Sequence, residues 1–213
     1  MRVKFCGITN LDDAQEAVRL GAWAIGLNHH PESPRFCEPD VAVEIGAALR
    51  RRLEIVGVFV NPTLAQLAAA AEDEWLTMVQ LHGDEGPAFC REAARRTGCK
   101  VIKALRVRSA ADVRAAEAYR ADFHLLDAHR PGTSGGTGES FDWGLLGVRR
   151  SEVPLILAGG LTPENVAEGV AAARPIAVDV ASGVEAEPGV KDHALMAAFL
   201  ERAQRASGSQ VIA

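Results

Sequence analysis

Apolar runs rich in Val, Ile and Leu recur eight times along the 213 residues, near 2–6, 23–28, 54–60, 78–82, 100–107, 122–127, 154–158 and 175–181. Each has the length of a buried strand, and each is followed by helical periodicity, over 11–20, 39–52, 63–74, 85–98, 110–120, 141–149, 163–173 and 192–205. Buried strands alternating with helices build a parallel sheet covered by helices. Eight such units predict a single-domain α/β fold, a (β/α)8 TIM barrel over residues 1–206, followed by a short flexible C-terminal tail, 207–213. The alternative is a doubly wound open sheet, which needs a strand order that a linear pattern does not show. Local start signals agree with the alternation. Thr162-Pro163-Glu164 puts a hydroxyl cap before a first-turn proline, and Ser109-Ala110-Ala111-Asp112 reads as a capping box.

Charge narrows the partners. The chain carries 23 basic and 28 acidic side chains, a net charge of −5, and its basic clusters, Arg50-Arg51-Arg52 and Arg149-Arg150, read as solvated helix ends. That balance favours a small-molecule partner over nucleic acid. The chain runs directly into a strand, with no signal peptide and no apolar run of the ~18 residues a membrane span requires, so a cytoplasmic protein is expected. Cys6, Cys37, Cys90 and Cys99 are far apart without C-x-x-C spacing, as free thiols are. His29 and His30 are adjacent on an extended segment and so point opposite ways; no metal is expected.

Candidate chemistry gathers at the strand ends. Cys6 closes the first apolar run just before Gly7-Ile8-Thr9-Asn10, and Asp127 closes Phe123-His124-Leu125-Leu126 before the glycine-rich segment Gly135-Gly136-Thr137-Gly138. By itself Cys6 reads as a small buried hydrophobe. A carboxylate ending a buried strand is costly without partners or work, and a thiol and a carboxyl at two strand mouths can act as base and acid. Two later loops suit a phosphate. Ala158-Gly159-Gly160-Leu161-Thr162 follows the seventh run and Ala181-Ser182-Gly183-Val184 the eighth, and such glycines let backbone N–H groups approach an anion.

Further blocks carry a resemblance. Lys4-Phe5-Cys6-Gly7-Ile8-Thr9, Ser33-Pro34-Arg35, Val56-Gly57-Val58-Phe59-Val60-Asn61, Val79-Gln80-Leu81-His82-Gly83, Leu125-Leu126-Asp127, Gly135-Gly136-Thr137-Gly138 with Phe141-Asp142-Trp143, Leu157-Ala158-Gly159-Gly160-Leu161, and Val178-Asp179-Val180 with Ser182-Gly183-Val184-Glu185 occur in order along nearly the whole chain. Together they resemble the phosphoribosylanthranilate isomerase family. The resemblance implies a cofactor-free barrel enzyme of tryptophan biosynthesis acting on a phosphoribosyl-anthranilate substrate by an Amadori rearrangement, as a monomer or homodimer. It gives Cys6 the role of general base and Asp127 that of general acid. Arg35 would hold the anthranilate carboxylate. Gly159, Gly160, Ser182 and Gly183 would cradle phosphate, and Gln80, His82, Gly135, Gly136 and Asp179 would line the substrate pocket.

The chain departs from the family pattern at His29-His30, which replace aromatic or apolar residues and would alter the wall around the aryl group. Ala181 stands where serine is common and Glu139 where lysine is frequent, and both would weaken anion binding slightly. Three rivals compete with this reading. They are the aminoaldose isomerase of the histidine pathway, against which Cys6 in place of an aspartate argues, a non-catalytic phosphosugar-binding barrel, and a Schiff-base aldolase using Lys4 or Lys103.

Overall fold

The computed structural model describes residues 1–127 and 143–208. Strands β1 (Arg2–Cys6), β2 (Ala24–Asn28), β3 (Glu54–Phe59), β4 (Met78–Leu81), β5 (Lys100–Arg106), β6 (Phe123–Asp127), β7 (Leu155–Ala158) and β8 (Ala177–Val180) pair in parallel and in chain order, and β8 closes on β1. The closed barrel rules out the open doubly wound sheet. Helices α1 (Leu11–Leu20), α2 (Pro39–Leu49), α3 (Leu64–Asp73), α4 (Pro87–Thr97), α5 (Ala110–Ala115), α6 (Val166–Ala173) and α7 (His193–Gly208) complete the alternation.

Local chemistry accounts for the helix limits. Asn10 caps α1 by accepting from the Asp13 N–H at 2.8 Å, and Gly21, at φ 81°, ends it in the left-handed conformation that glycine adopts without a Cβ penalty. Thr63 and Gln66 form a reciprocal capping box on α3, while Pro39 and Pro87 occupy first turns where no N–H is needed.

Side-chain parity divides the barrel into two cores. Inward positions such as Ala24, Val56, Val58, Met78, Ile102, Leu125, Ile156 and Ala177 pack on each other, and the alternate positions, including Phe5, Ile25, Ile55, Leu81, Leu126 and Leu157, share a second core with Ile45, Leu67, Val170 and Phe199 of the helices.

Several elements differ from the sequence expectation. The sixth helical pattern is a 3-10 helix, Trp143–Val148, because Gly144 and Gly147 deprive it of α-propensity; residues 141 and 142 lie outside the described residues. Residues 163–165 are turns ahead of α6. After β8 an unexpected hairpin appears, β9 (Glu185–Glu187) with β10 (Val190–Lys191), turned by Pro188-Gly189 with Gly189 at φ 87°. At the C-terminus α7 continues to Gly208, and 209–213 fall outside the described residues.

Lys103 breaks the hydrophobic parity by pointing out of the barrel. Its Nζ donates to Glu85 Oε2 and to the Gly83 carbonyl, both at 2.7 Å, and Glu85 also accepts from the N–H groups of Asn61 and Gly83. This buried pair ties the loops after β3 and β4 to β5. Removing one partner from a buried pair strands the other charge, at about 3–5 kcal/mol. Glu85→Ala should show that full loss, because it leaves the ammonium without a counter-charge and the Asn61 and Gly83 N–H groups without their acceptor. Lys103→Met should cost less, because the carboxylate keeps its backbone donors. Denaturant unfolding of both variants checks this, and equal losses would refute the asymmetry.

Candidate active site

The period of two along each strand sends Lys4 and Cys6, Gln80, Asp127 and Asp179 into the barrel, with His82 continuing the inward series one residue beyond β4. Lys4 is fully buried. Its Nζ donates to Asp179 Oδ1 at 2.8 Å and to Gln80 Oε1 at 3.0 Å, joining β1 to β8 and β4. That bond fixes the Gln80 amide, whose Nε2 then faces His82 Nδ1 at 3.4 Å. His82 therefore accepts on Nδ1 and carries its proton on Nε2, 3.7 Å from Asp127 Oδ2. Burial lowers the His82 pKa, opposed by Asp127 and Asp179 and assisted by Arg106 and Lys4. A polar line thus runs from Asp179 and Lys4 beside Cys6 to Asp127.

Burial pushes the Cys6 thiol up. Lys4 and Lys191 pull it down, and Asp179 pushes it up. Lys4 is raised: desolvation pulls it down, but Asp179 and Cys6 more than compensate. Cys37, by contrast, is a buried thiol pushed up to about 12 by desolvation and by Glu74 and Glu38, which suits packing rather than chemistry. Room for the Cys6 sulfur comes from Gly26 across the β1–β2 pair. A Cβ there would lie 2.8 Å from Cys6 Sγ and 3.1 Å from Lys4 Nζ.

The glycine loops after β7 and β8 meet. Gly159 and Gly160 take φ 94° and 63°, Asn165 Nδ2 holds the Gly160 carbonyl at 2.9 Å, and Ser182–Val184 forms a 3-10 turn. A Cβ on Gly183 would overlap the Leu161 carbonyl, so the two loops pack backbone to backbone.

Arg35 reaches the mouth from the loop after β2, its side chain crossing Gly7, where an added Cβ would stand 2.6 Å from Arg35 Cδ. Glu185 grips it with two oxygens, each at 2.7 Å, and Lys191 Nζ donates to the same carboxylate at 2.8 Å. Gly135, Gly136 and Glu139 lie outside the described residues, as does the rest of their glycine-rich segment.

The family model described as N-(5'-phosphoribosyl)anthranilate (PRA) isomerase matches residues 3–202. The chain belongs to this family. It is 47% identical over 204 residues to the PRA isomerase of Geobacter sulfurreducens, which covers 96% of this chain and 98% of that protein. Among solved structures, the phosphoribosyl anthranilate isomerase of Thermotoga maritima superposes with a TM-score of 0.86 at 41% identity, covering 96% and 99% of the two chains. A PRA isomerase structure in complex with reduced 1-(o-carboxyphenylamino)-1-deoxyribulose 5-phosphate matches at TM-score 0.83 and 39% identity, covering 96% and 99%.

Seen as a PRA isomerase, the chain corrects several sequence expectations. His29 does not wall the mouth. It has outward parity, stacks on Phe59 with centroids 4.4 Å apart, and lies 3.0 Å from Glu74. His30 sits 3.8 Å from Glu32. Among the described residues no three His, Cys, Asp or Glu side chains are grouped to hold a metal, and no helix is long and apolar enough to cross a membrane. Lys103 faces away from the barrel interior and Lys4 is held by two partners, so neither lysine offers the amine a Schiff-base aldolase needs. Sequence reading gave Gly26, Glu185 and Lys191 no task. Glu185 stood inside a quoted block, and the Pro188-Gly189 turn was the available signal for the hairpin that carries Lys191.

The field around Cys6 is directly testable. Lys4→Met removes the nearest cation and leaves Asp179 unopposed, so the inflection of Cys6 alkylation against pH should move up and the rate at neutral pH should fall. Asp179→Asn should move the inflection down. Peptide-resolved iodoacetamide labelling reads both, and shifts of the same sign would show that the pair does not govern the thiol.

Proposed function

We propose that the chain converts N-(5'-phosphoribosyl)anthranilate into 1-(2-carboxyphenylamino)-1-deoxyribulose 5-phosphate in tryptophan biosynthesis, with Cys6 as general base and Asp127 as general acid. The observation that carries the proposal is the pairing of a thiol and a carboxyl on inward positions at the C-terminal ends of β1 and β6, joined by one polar line. The family relative held with the reduced product supports the same substrate.

In this reading the Asp127 carboxyl gives its proton to the furanose oxygen. The C1–O bond breaks with its electron pair going to that oxygen, and the anilinic nitrogen lone pair forms the C1=N iminium. The Cys6 thiolate then takes the C2 proton. The C–H pair becomes the C1=C2 bond, the iminium pair returns to nitrogen, and an enolamine results. Loss of the C2 hydroxyl proton and gain of one at C1 give the ketone. The enzyme is left with a thiol and a carboxylate, so one proton must pass from the first to the second before the next cycle. Lys4 favours the thiolate that the second step requires.

The phosphate rests on the joined loops at Gly159, Gly160, Ser182 and Gly183, mostly through backbone N–H groups, and the aryl carboxylate rests on Arg35. Glu185 takes the edge of the guanidinium formed by Nε and Nη2, which leaves the Nη1–Nη2 end directed to a ligand. Gln80, His82 and Asp179 line the pocket between the two anion sites, and the proposal extends to Gly135 and Gly136.

Cys6→Ala should leave substrate affinity nearly intact and lower kcat by at least about a hundredfold, the scale of lost general-base catalysis. Asp127→Asn should stall ring opening, so an already ring-opened substrate should rescue it more than it rescues Cys6→Ala. Equal rescue in steady-state assays would overturn the division of roles.

Arg35→Ala should raise KM by about ten- to a hundredfold, the scale of a charge-assisted hydrogen bond. Most of that loss should vanish for a ligand lacking the aryl carboxylate. Calorimetric titration of carboxylated and decarboxylated ligands measures the difference, and equal losses would remove Arg35 from carboxylate recognition.

A further inference from the structure

The β9–β10 hairpin stands over the loops that follow β1 and β2. Thr9 Oγ1 donates to the Gly189 carbonyl at 2.5 Å, and a Cβ on Gly189 would lie 3.1 Å from the Pro34 carbonyl, next to Arg35. Asp13 of α1 anchors the hairpin base by accepting from the Lys191 N–H at 3.0 Å. The hairpin backbone is therefore bonded to side chains of the loop after β1 and of α1, and packs closely on the loop that carries Arg35.

Its first and last residues meet at the carboxylate that holds the guanidinium. Glu185 Oε1 accepts from Arg35 Nε at 2.7 Å and from Lys191 Nζ at 2.8 Å, while Oε2 accepts from Arg35 Nη2 at 2.7 Å. Lys191 also donates to the Ala181 carbonyl at the end of β8, at 3.2 Å. The Glu185 and Lys191 side chains are nearly or fully shielded from solvent, at 5% and 0% exposure, whereas Arg35 keeps 25%. A buried carboxylate flanked by two cations is fully matched, and it leaves the trio one net positive charge, borne at the exposed guanidinium.

We propose that the Lys191–Glu185 pair is the positioning device for Arg35, fixing its guanidinium so that its free end meets the substrate's carboxylate. Arginine carries about 2 kcal/mol of rotamer entropy, and a side chain already held in its binding pose loses less of it when ligand arrives. Glu185 holds the Nε–Nη2 edge of the guanidinium and leaves the adjoining Nη1 side to the ligand. Lys191 in turn keeps Glu185 ionised and fixed: the Glu185 pKa is lowered by Arg35 and Lys191 against the opposing effect of burial. Neither residue needs to touch substrate.

The proposal rests on the reading of Arg35 given above, and its test separates the two. In steady-state assays Glu185→Gln should raise KM by about tenfold with little change in kcat, as loss of preorganisation at a binding group does. The same variant should discriminate less between the reduced product and its decarboxylated analogue in calorimetry. In an Arg35→Ala background Glu185→Gln should add nothing. Lys191→Met should raise KM as Glu185→Gln does and, because Lys191 also pulls the Cys6 thiol down, lower kcat as well; Lys191→Arg should restore most of the affinity. If Arg35→Ala loses the preference for the carboxylated ligand but Glu185→Gln keeps it in full, or if the Glu185→Gln loss persists without Arg35, the positioning role is wrong. If Arg35→Ala itself keeps that preference, the carboxylate reading falls instead. Glu185→Gln preserves size and decides the matter alone should Lys191→Met fail to fold.

Discussion

One ion pair inside the barrel sets the terms for the rest of the site. Lys4 Nζ, fully shielded from solvent, bonds Asp179 at 2.8 Å where β8 returns to β1, and it holds Gln80 of β4 across the interior. Desolvating an ammonium is expensive, and replacing such a pair by hydrocarbon is often no less stable. Its value here lies in what it orients. The ammonium supplies positive charge beside Cys6, fixes which way the Gln80 amide faces, and through that amide selects the tautomer of His82 that carries its proton on Nε2, 3.7 Å from Asp127. Both ends of the proposed acid–base chemistry are thereby organised from one buried charge.

The fold was legible because parity and periodicity are written locally. Eight apolar runs became eight strands within a few residues, and Cys6 and Asp127, which close their runs in the sequence, close β1 and β6 in the barrel. Local signals failed where tertiary context competed with them. Trp143–Val148 reads as an amphipathic helix, yet two glycines tighten it to 3-10 geometry. His29 looked like a pocket wall by its place in the chain, but it has outward parity and ends stacked on Phe59. The partnership of Arg35 with Glu185 spans 150 residues of chain and could not be seen in any window, although both residues lay in blocks already marked. Lys191 was invisible for the same reason, and only the Pro188-Gly189 turn hinted at the hairpin bearing it.

The electrostatic surroundings of Cys6 show why a lone thiol is informative here and three others are not. Cys37, Cys90 and Cys99 are all raised mainly by burial, and no lysine ammonium is hydrogen-bonded to any of them. Cys6 is raised by burial too, but Lys4 and Lys191 oppose that rise and Gly26 leaves the sulfur space. A thiol poised between desolvation and adjacent cations is one whose charge state a cationic intermediate can change.

The contact between Gly183 and the Leu161 carbonyl has a consequence for how such a barrel diversifies. It makes the loops after β7 and β8 one backbone-built unit, whose shape depends on the absence of side chains rather than on their identity. The opposite end of the mouth is built from the side chains of Arg35, Glu185 and Lys191, each replaceable by a single codon change. Drift in sequence should therefore remodel what hangs on the sugar long before it erases the socket for the phosphate, so new substrates recruited to this scaffold would keep the phosphate and exchange the aglycone.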